Sequence, residues 1–397
     1  MLEVLRMSSL YQLIYELCPS GVEFKKIKDV YKRLNGTPIT AGKMKEIDRP
    51  NGEIRIFAGG KTVISAYEED IPKSNITRVP AVLVQSRGFI DAIYYEKPFT
   101  FKNEMWAYTS ENIVSVKYLY YVLKNNIQQF RDAASGMGSM PQISLKVTEN
   151  FIIPFPPLPV QQEIVKILDN FTELTAELTA ELTARKKQYE YYRKLLLNFG
   201  GQRDIPYKWM TLGEVGRVSM CKRIMKADTS PEGDVPFFKI GTFGKEPDAY
   251  ISQEKYDEYR KAYSFPKKGD VLISAAGTIG RTVIYDGEPA YYQDSNIVWI
   301  DNDESKVLNK YLNYCYSLKP WAVSNGGTIA RLYNDNINKA KIPVPSLEEQ
   351  ERIVTILDLF DALCNDLTSG LPAEIEARRK QYEYYRDKLL TFKEASA

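Results

Sequence analysis

The stretch ARKKQYEYYRKLLLNF at 184–199 returns as ARRKQYEYYRDKLLTF at 377–392. A chain that carries one helical segment twice must offer both copies equivalent surroundings, which points to an internally duplicated fold. The repeat extends well beyond this segment. At an offset of 189 residues, VLVQSRG at 82–88 falls on VLISAAG at 271–277, and Gly138-Ser139 falls on Gly327-Thr328. IPFPPLPVQQEIVKILDNF at 153–171 falls on IPVPSLEEQERIVTILDLF at 342–360. Phe24, Ile27 and Val30 match Trp209, Leu212 and Val215 at an offset of 185. After Phe171 the offset becomes 193, so the second copy holds four extra residues. Matches are sparse between 31–80 and 216–265. Two related domains with one task and different targets would leave this pattern.

The expected organisation is an N-terminal helix over 1–21, a globular domain over 22–151 and a long helix over 152–200. A second globular domain over 201–341 and a second long helix over 342–397 follow. Runs such as AVLVQS, VLISAAG, TVIYD and NIVWI are short, β-branched and bounded by Gly, Pro, Asn and Asp; they read as strands. With helices expected within 116–134 and 308–318, each globule reads as α/β or mostly β, with α/β the expected class.

The first long helix is predicted to start near Val160, just after a Pro-rich turn. Ile164, Leu168, Phe171, Leu174, Leu178, Leu182, Tyr189, Tyr192 and Leu196 recur at spacings of three, four or seven, which is a coiled-coil seam. The second helix repeats it with Ile353, Leu357, Phe360, Leu363, Leu367, Ile375, Tyr382, Tyr385 and Leu389. TSGLPAE at 368–374 interrupts this seam, with Gly370 ending one segment and Pro372 opening the next. The expected architecture is two α/β domains separated by two antiparallel helices with an internal pseudo-two-fold.

Histidine is absent from all 397 residues. That removes the commonest general base, every Ser-His and Cys-His pair and the usual catalytic zinc ligand. AGGKT at 58–62 ends like a phosphate loop, but Arg55 stands where that pattern needs its first glycine. The Glu-x-Lys fragment at 23–25 lacks the upstream Pro-Asp of a nuclease site. GTIG at 277–280 is too short for a dinucleotide fold. The chain therefore reads as a non-enzyme. Cys18, Cys221, Cys315 and Cys364 are scattered, which fits a reducing cytoplasm better than a disulfide framework or zinc site. No apolar run approaches the roughly 18 residues of a membrane helix.

The duplicated words IPFPPLPVQQEIVKILD and IPVPSLEEQERIVTILD, the tetrads TAELTAELTA, and QYEYYR in both copies resemble the specificity subunit of type I restriction-modification systems. GDVLISAAGTIGRTVIYDG at 269–287 is similar to that family's target recognition domain. The resemblance implies two recognition domains, each reading half of a split, asymmetric double-stranded DNA site. It implies helices that dock two methyltransferase subunits, joined by two motor-nuclease subunits. S-adenosylmethionine and ATP with magnesium would belong to those partners, with no cofactor on this chain. The duplicated helix would then offer two similar docking faces to two copies of one partner, with Ile164, Leu168, Phe171, Leu174, Leu178, Leu182, Tyr189, Tyr192, Ile353, Leu357, Phe360, Leu363, Tyr382 and Tyr385 serving helix packing or that docking. Each Thr-Ala-Glu-Leu tetrad would act as a length setting.

Net charge is only +2, so phosphate contacts are expected from local clusters. The candidates are Lys32, Arg33, Lys43 and Lys45 in the first domain and Lys222, Arg223 and Lys226 in the second, each expected in a loop after its domain's first strand. Gln85, Arg87 and Gln142, with Arg281, Gln293 and Arg331, carry groups suited to adenine or guanine edges. A coiled-coil scaffold that binds proteins would explain the helices, but not why the globules diverge while the rods stay alike.

Overall fold

The computed structural model describes residues 2–135, 140–199, 205–323 and 331–395. The paired Gly138-Ser139 and Gly327-Thr328 of the repeat lie outside them. The chain divides into two compact units, Met1–Thr179 with Glu374–Ala397, and Ala180–Ala373.

In the first unit the helix Leu2–Leu17 buries Leu10. Strand Phe24–Lys26 then pairs antiparallel with Ile152–Pro154, closing the domain at its base. A four-stranded antiparallel sheet runs in the order Lys32–Leu34, Trp106–Thr109, Ala81–Gln85, Asp91–Tyr95. Ala81–Gln85 is buried at all five positions, as an inner strand covered on both faces requires. Helix Ile113–Asn125 contributes Val116, Leu119 and Val122 to the core shared with Val82 and Val84. A three-stranded sheet runs Val63–Ala66, Ile54–Phe57, Phe99–Phe101, its last pair parallel.

The second unit repeats this topology strand for strand. Tyr207–Thr211 pairs antiparallel with Lys341–Pro345. The four-stranded sheet runs Arg217–Ser219, Ile297–Asp301, Val271–Ser274, Thr282–Ile284. The three-stranded sheet runs Tyr250–Ile251, Val235–Phe238, Tyr291–Tyr292, again with its last pair parallel. The central strands of the three-stranded sheets, IRIF and VPFF, fall in the stretches where the sequences had ceased to match. The domains differ most after those sheets. Helix Gln253–Ala262 stands in the second where the first has two short turns, Glu68–Asp70 and Lys73–Asn75.

One continuous helix spans Leu158–Leu197, 40 residues or about 60 Å. Its start is held by Gln161, whose Nε2 donates to Pro156 O at 2.7 Å; Gln350 does the same to Pro345 O at 2.9 Å. The second helical region is interrupted as expected, into Leu347–Asn365 and Leu371–Leu389. Asp366 holds the break by accepting from Thr368 N at 2.7 Å, from the Thr368 hydroxyl at 2.6 Å and from the Ser369 hydroxyl. The Ser369 and Thr368 donors hold its carboxyl well below the usual range. Gly370 serves here by close approach rather than by a left-handed turn. A Cβ there would lie 2.5 Å from Ala362 O.

Each unit closes on an aromatic clasp. In the first, Phe171 stacks on Tyr385 with centroids 5.6 Å apart, and Tyr382 lies at 6.4 Å. In the second, Phe360 stacks on Tyr192 at 5.5 Å and Tyr189 at 6.1 Å. Within the second unit the two helices run antiparallel. Tyr189 faces Phe360 and Asp361, while the earlier Arg185 and Lys186 face the later Cys364.

Ile164, Leu168, Ile353 and Leu357 are fully buried in these seams. Leu174, Leu178 and Leu182 are only half-buried. Leu363 and Leu367 depart from the predicted seam, being 38% and 80% exposed. Cys364 takes the inward position instead, in the core of the second unit, and Leu367 lies beyond the helix end at Asn365.

Candidate nucleic-acid interface

Within the first domain three segments meet at the ends of the two sheets. Strand Ile54–Phe57 runs into the loop 58–62, and strand Ala81–Gln85 runs into the loop 86–89. The third segment is 140–143. Gly60 N donates to Arg87 O at 3.1 Å, Gly88 N to Pro141 O at 2.8 Å and Ile143 N to Ser86 O at 3.0 Å. Gly60 and Gly88 adopt φ of +75° and +77°, where a side chain would be strained. Glu104 braces the first loop, accepting from Gly59 N at 3.3 Å and pairing with Lys102 at 3.1 Å. Burial opposes its ionisation, but the bonds from Lys102 and Gly59 outweigh that and hold its carboxyl below the usual range. Backbone donors and glycines thus fix the loops, leaving Lys61, Arg87, Phe89, Met140 and Gln142 exposed upon them, with exposed Arg131 alongside.

The second domain builds the same junction from other residues. Strand Val235–Phe238 runs into loop 239–243, strand Val271–Ser274 into loop 275–280, and the third segment is 331–333. Leu332 N donates to Ala275 O at 2.8 Å, as Ile143 does to Ser86. Ile240 N donates to Gln293 Oε1 at 2.9 Å, as Gly59 does to Glu104. Gly277, at φ +63°, faces Ile240 as Gly88 faces Gly60. Met220, Ser295, Arg331, Tyr333 and Lys339 line an adjoining cleft of about 720 Å³.

The residues chosen from sequence separate into two groups. Arg87 and Gln142 are brought together as partners in a β-bridge, and both are exposed. Lys32 and Arg33 sit on a strand rather than in a loop, and Arg33 pairs with Glu149 at 3.3 Å. Lys43 and Lys45 sit on the helix Ala41–Glu46, Lys43 pairing with Glu46 at 3.1 Å. Exposed Lys222 stands 5.0 Å over the Tyr263 ring, and exposed Lys226 opens a single turn, Lys226–Asp228. Arg223 pairs with Asp294 at 2.9 Å.

Three of the choices are engaged in hydrogen bonds to loop backbone. Gln85 is 4% exposed and donates to Gly60 O at 3.0 Å. Gln293 braces Ile240, and Arg281 donates to Phe243 O at 2.8 Å. All three brace loop backbone, because leaving their polar groups unpaired in buried or partly buried positions would cost stability. Arg331 is half-buried and donates to Ser295 O at 3.0 Å, at the rim of the cleft. Lys61, Phe89 and Arg131 escaped the sequence reading. Lys61 lay in the AGGKT stretch, and only the offset that sets Gly277 on Gly88 hinted that this turn mattered.

The cysteines take no part. All four are free and buried, and burial pushes the Cys221 and Cys315 thiols up to about 12. Among the described residues no cluster of three or more acidic, Cys or His side chains is placed to hold a metal. Nor is any helix there long and apolar enough to cross a membrane.

One two-sheet domain built twice, with differently decorated loops at the same junction and helices closing each unit, defines a duplicated recognition protein. The family profile described as type I restriction modification DNA specificity domain matches residues 19–185 and again 205–377, and the chain belongs to that family. A type I restriction enzyme specificity subunit of Haemophilus influenzae is 54% identical over 303 residues, covering 73% of this chain and 77% of that one. The EcoR124I/EcoR124II specificity subunit of Escherichia coli is 31% identical over 363 residues, covering 85% and 87%. The crystal structure of an S subunit from M. genitalium shares the fold with a TM-score of 0.59 at 16% identity, covering 93% of this chain and 96% of that one. The chain is a non-catalytic DNA-specificity subunit of the type I class.

Proposed function

We propose that each domain reads one half of a bipartite, asymmetric DNA site through its loop junction, and that the helices set the gap between the halves. The helices also dock two methyltransferase subunits, with two motor-nuclease subunits completing the restriction complex. S-adenosylmethionine and ATP with magnesium are carried by those partners, and the assembly works in the cytoplasm. The observation that carries this reading is the double construction of one junction. The backbone bonds Ile143 to Ser86 and Leu332 to Ala275 are the same, while the exposed side chains around them differ. A frame held constant under variable side chains suits one task performed on two sequences.

The tetrads set the gap. Each adds roughly 6 Å of helix against about 3.4 Å per base pair. The test is methylome sequencing of cells that express the chain with its methyltransferase, with and without one tetrad. The expected result is a split motif whose gap shortens by one or two base pairs, with both halves unchanged. An unchanged gap defeats the length setting; the absence of any motif that depends on this chain defeats the whole reading.

A further inference from the structure

Phe89 combines features that neither the fold nor the core requires. It is 40% exposed, and it directly follows Gly88 in the loop pinned to Gly60 and Pro141. A single exposed apolar side chain is ordinary. This one is attended by two cations that come from other segments. Lys61 Nζ stands 4.4 Å from the ring centroid and Arg131 Cζ 5.2 Å. Arg131 Nε is anchored to Ile90 O at 3.1 Å. Among the described residues neither cation joins an ion pair, whereas nearby Lys102 and Lys124 are both paired with carboxylates. An aromatic ring on a rigid turn, flanked by two cations free of carboxylates, matches what a base and its neighbouring phosphates demand.

We propose that Phe89 is a stacking wedge for the half-site read by the first domain. The ring stacks on a base and opens one base step, while Lys61 and Arg131 turn to the flanking phosphates. The proposal rests on the reading of the first domain as a DNA-recognition domain. The phosphates supply the acids that the two cations lack, and their pull uncovers the ring. The matching position of the second domain is Thr278, in a turn tied down by the Ser274 hydroxyl on Thr278 O at 2.5 Å. The distortion is therefore confined to one half of the site.

The test uses the complex of this chain with its methyltransferase and duplexes carrying 2-aminopurine at successive positions of both half-sites. Wild-type complex raises the fluorescence at one step of the first half-site. Phe89→Ala removes that rise and weakens binding about 10-fold or more, in line with loss of one base–aromatic stack. Phe89→Trp retains the rise, and the second half-site reports no difference between variants. Lys61→Ala lowers the slope of log affinity against log salt by about one. Base extrusion by the methyltransferase also brightens the probe, so only the signal that Phe89→Ala removes is assigned to the wedge. Equal signals from wild type and Phe89→Ala, with binding to the split site intact, overturn the wedge and leave the recognition reading standing. A complex that does not prefer the split site over a scrambled duplex defeats the recognition reading itself.

Discussion

The two domains fill one pair of corresponding buried positions in different ways. The first puts Ala81 at the head of its central strand and Val116 in the covering helix, both buried and apolar. At the corresponding positions the second puts Asp270 and Asn309, 1% and 5% exposed. Asp270 accepts from Lys267 N at 2.8 Å and from Asn309 Nδ2 at 3.4 Å, and Asn302 donates to Asn309 Oδ1 at 2.9 Å. The strand order is the same around both solutions. The fold therefore accepts an apolar side chain or a hydrogen-bonded polar one at each of these two positions, since a buried polar group whose hydrogen bonds are met carries little penalty. The helix anchors behave in the opposite way. Tyr121 donates to Asp169 at 2.5 Å with Lys117 on the same carboxylate at 2.7 Å. Tyr314 donates to Asp358 at 2.5 Å with Lys310 at 2.8 Å. Here both halves keep the same three residue types. Tyr118 and Tyr311 likewise donate to Pro154 O and Pro343 O at 3.1 and 2.8 Å. Cores can drift once hydrogen bonds are met; a helix root that orients a whole domain has less freedom.

That contrast can be broken most strongly at the clasps. Phe171→Ala removes a ring that is 3% exposed and should destabilise the first unit by about 3–5 kcal/mol. Phe360→Ala, at a half-buried ring, should cost the second unit less. Hydrogen exchange of the two variants checks this, with lost protection expected on the side of the substitution; uniform loss across both units would contradict separate clasps.

The anchors come next. Asp169→Ala and Asp358→Ala each strand a tyrosine hydroxyl and a lysine, and should cost about 1–3 kcal/mol apiece by denaturant titration. Equal losses would sharpen the case that the two roots are one device. Burial, and then the aspartate, raise both tyrosines well above their ordinary range. Because the folded state holds those protons longer than the unfolded chain, stability is complete below about pH 10 and falls as pH rises beyond it.

The smallest effect is expected at the core exchange. Asp270→Asn keeps an acceptor for Lys267 N and should change stability by about 1 kcal/mol or less, whereas Asp270→Ala leaves Lys267 N and Asn309 Nδ2 short of a partner and should cost more. Burial raises the Asp270 carboxyl above its usual range. The folded state therefore binds a proton that the unfolded chain has released, and stability declines as pH rises through the carboxylate range. Asp270→Asn should flatten that decline in thermal melts taken across acidic pH.

The duplication, the helix pair with its interruption at 368–374 and the non-catalytic character of the chain were legible in the sequence. They are written locally, in helical periodicity, in Gly and Pro placement and in which chemical groups are absent. The three-stranded sheets were not, because strand pairing joins segments as far apart as Ile54–Phe57 and Phe99–Phe101, and a pleated surface accepts many apolar residues. Arg87 and Gln142 could be chosen by residue type. That Gln85, Gln293 and Arg281 bond to loop backbone while exposed Lys61 and Arg131 gather at Phe89 could not. Facing direction and hydrogen-bond partners depend on segments that meet only in the folded domain. By itself the sequence determined that one unit of structure is built twice on helical supports. Tertiary structure decided which side chains each junction presents, because backbone hydrogen bonds at Gly60 and Gly88, both at positive φ, orient the residues mounted on those turns.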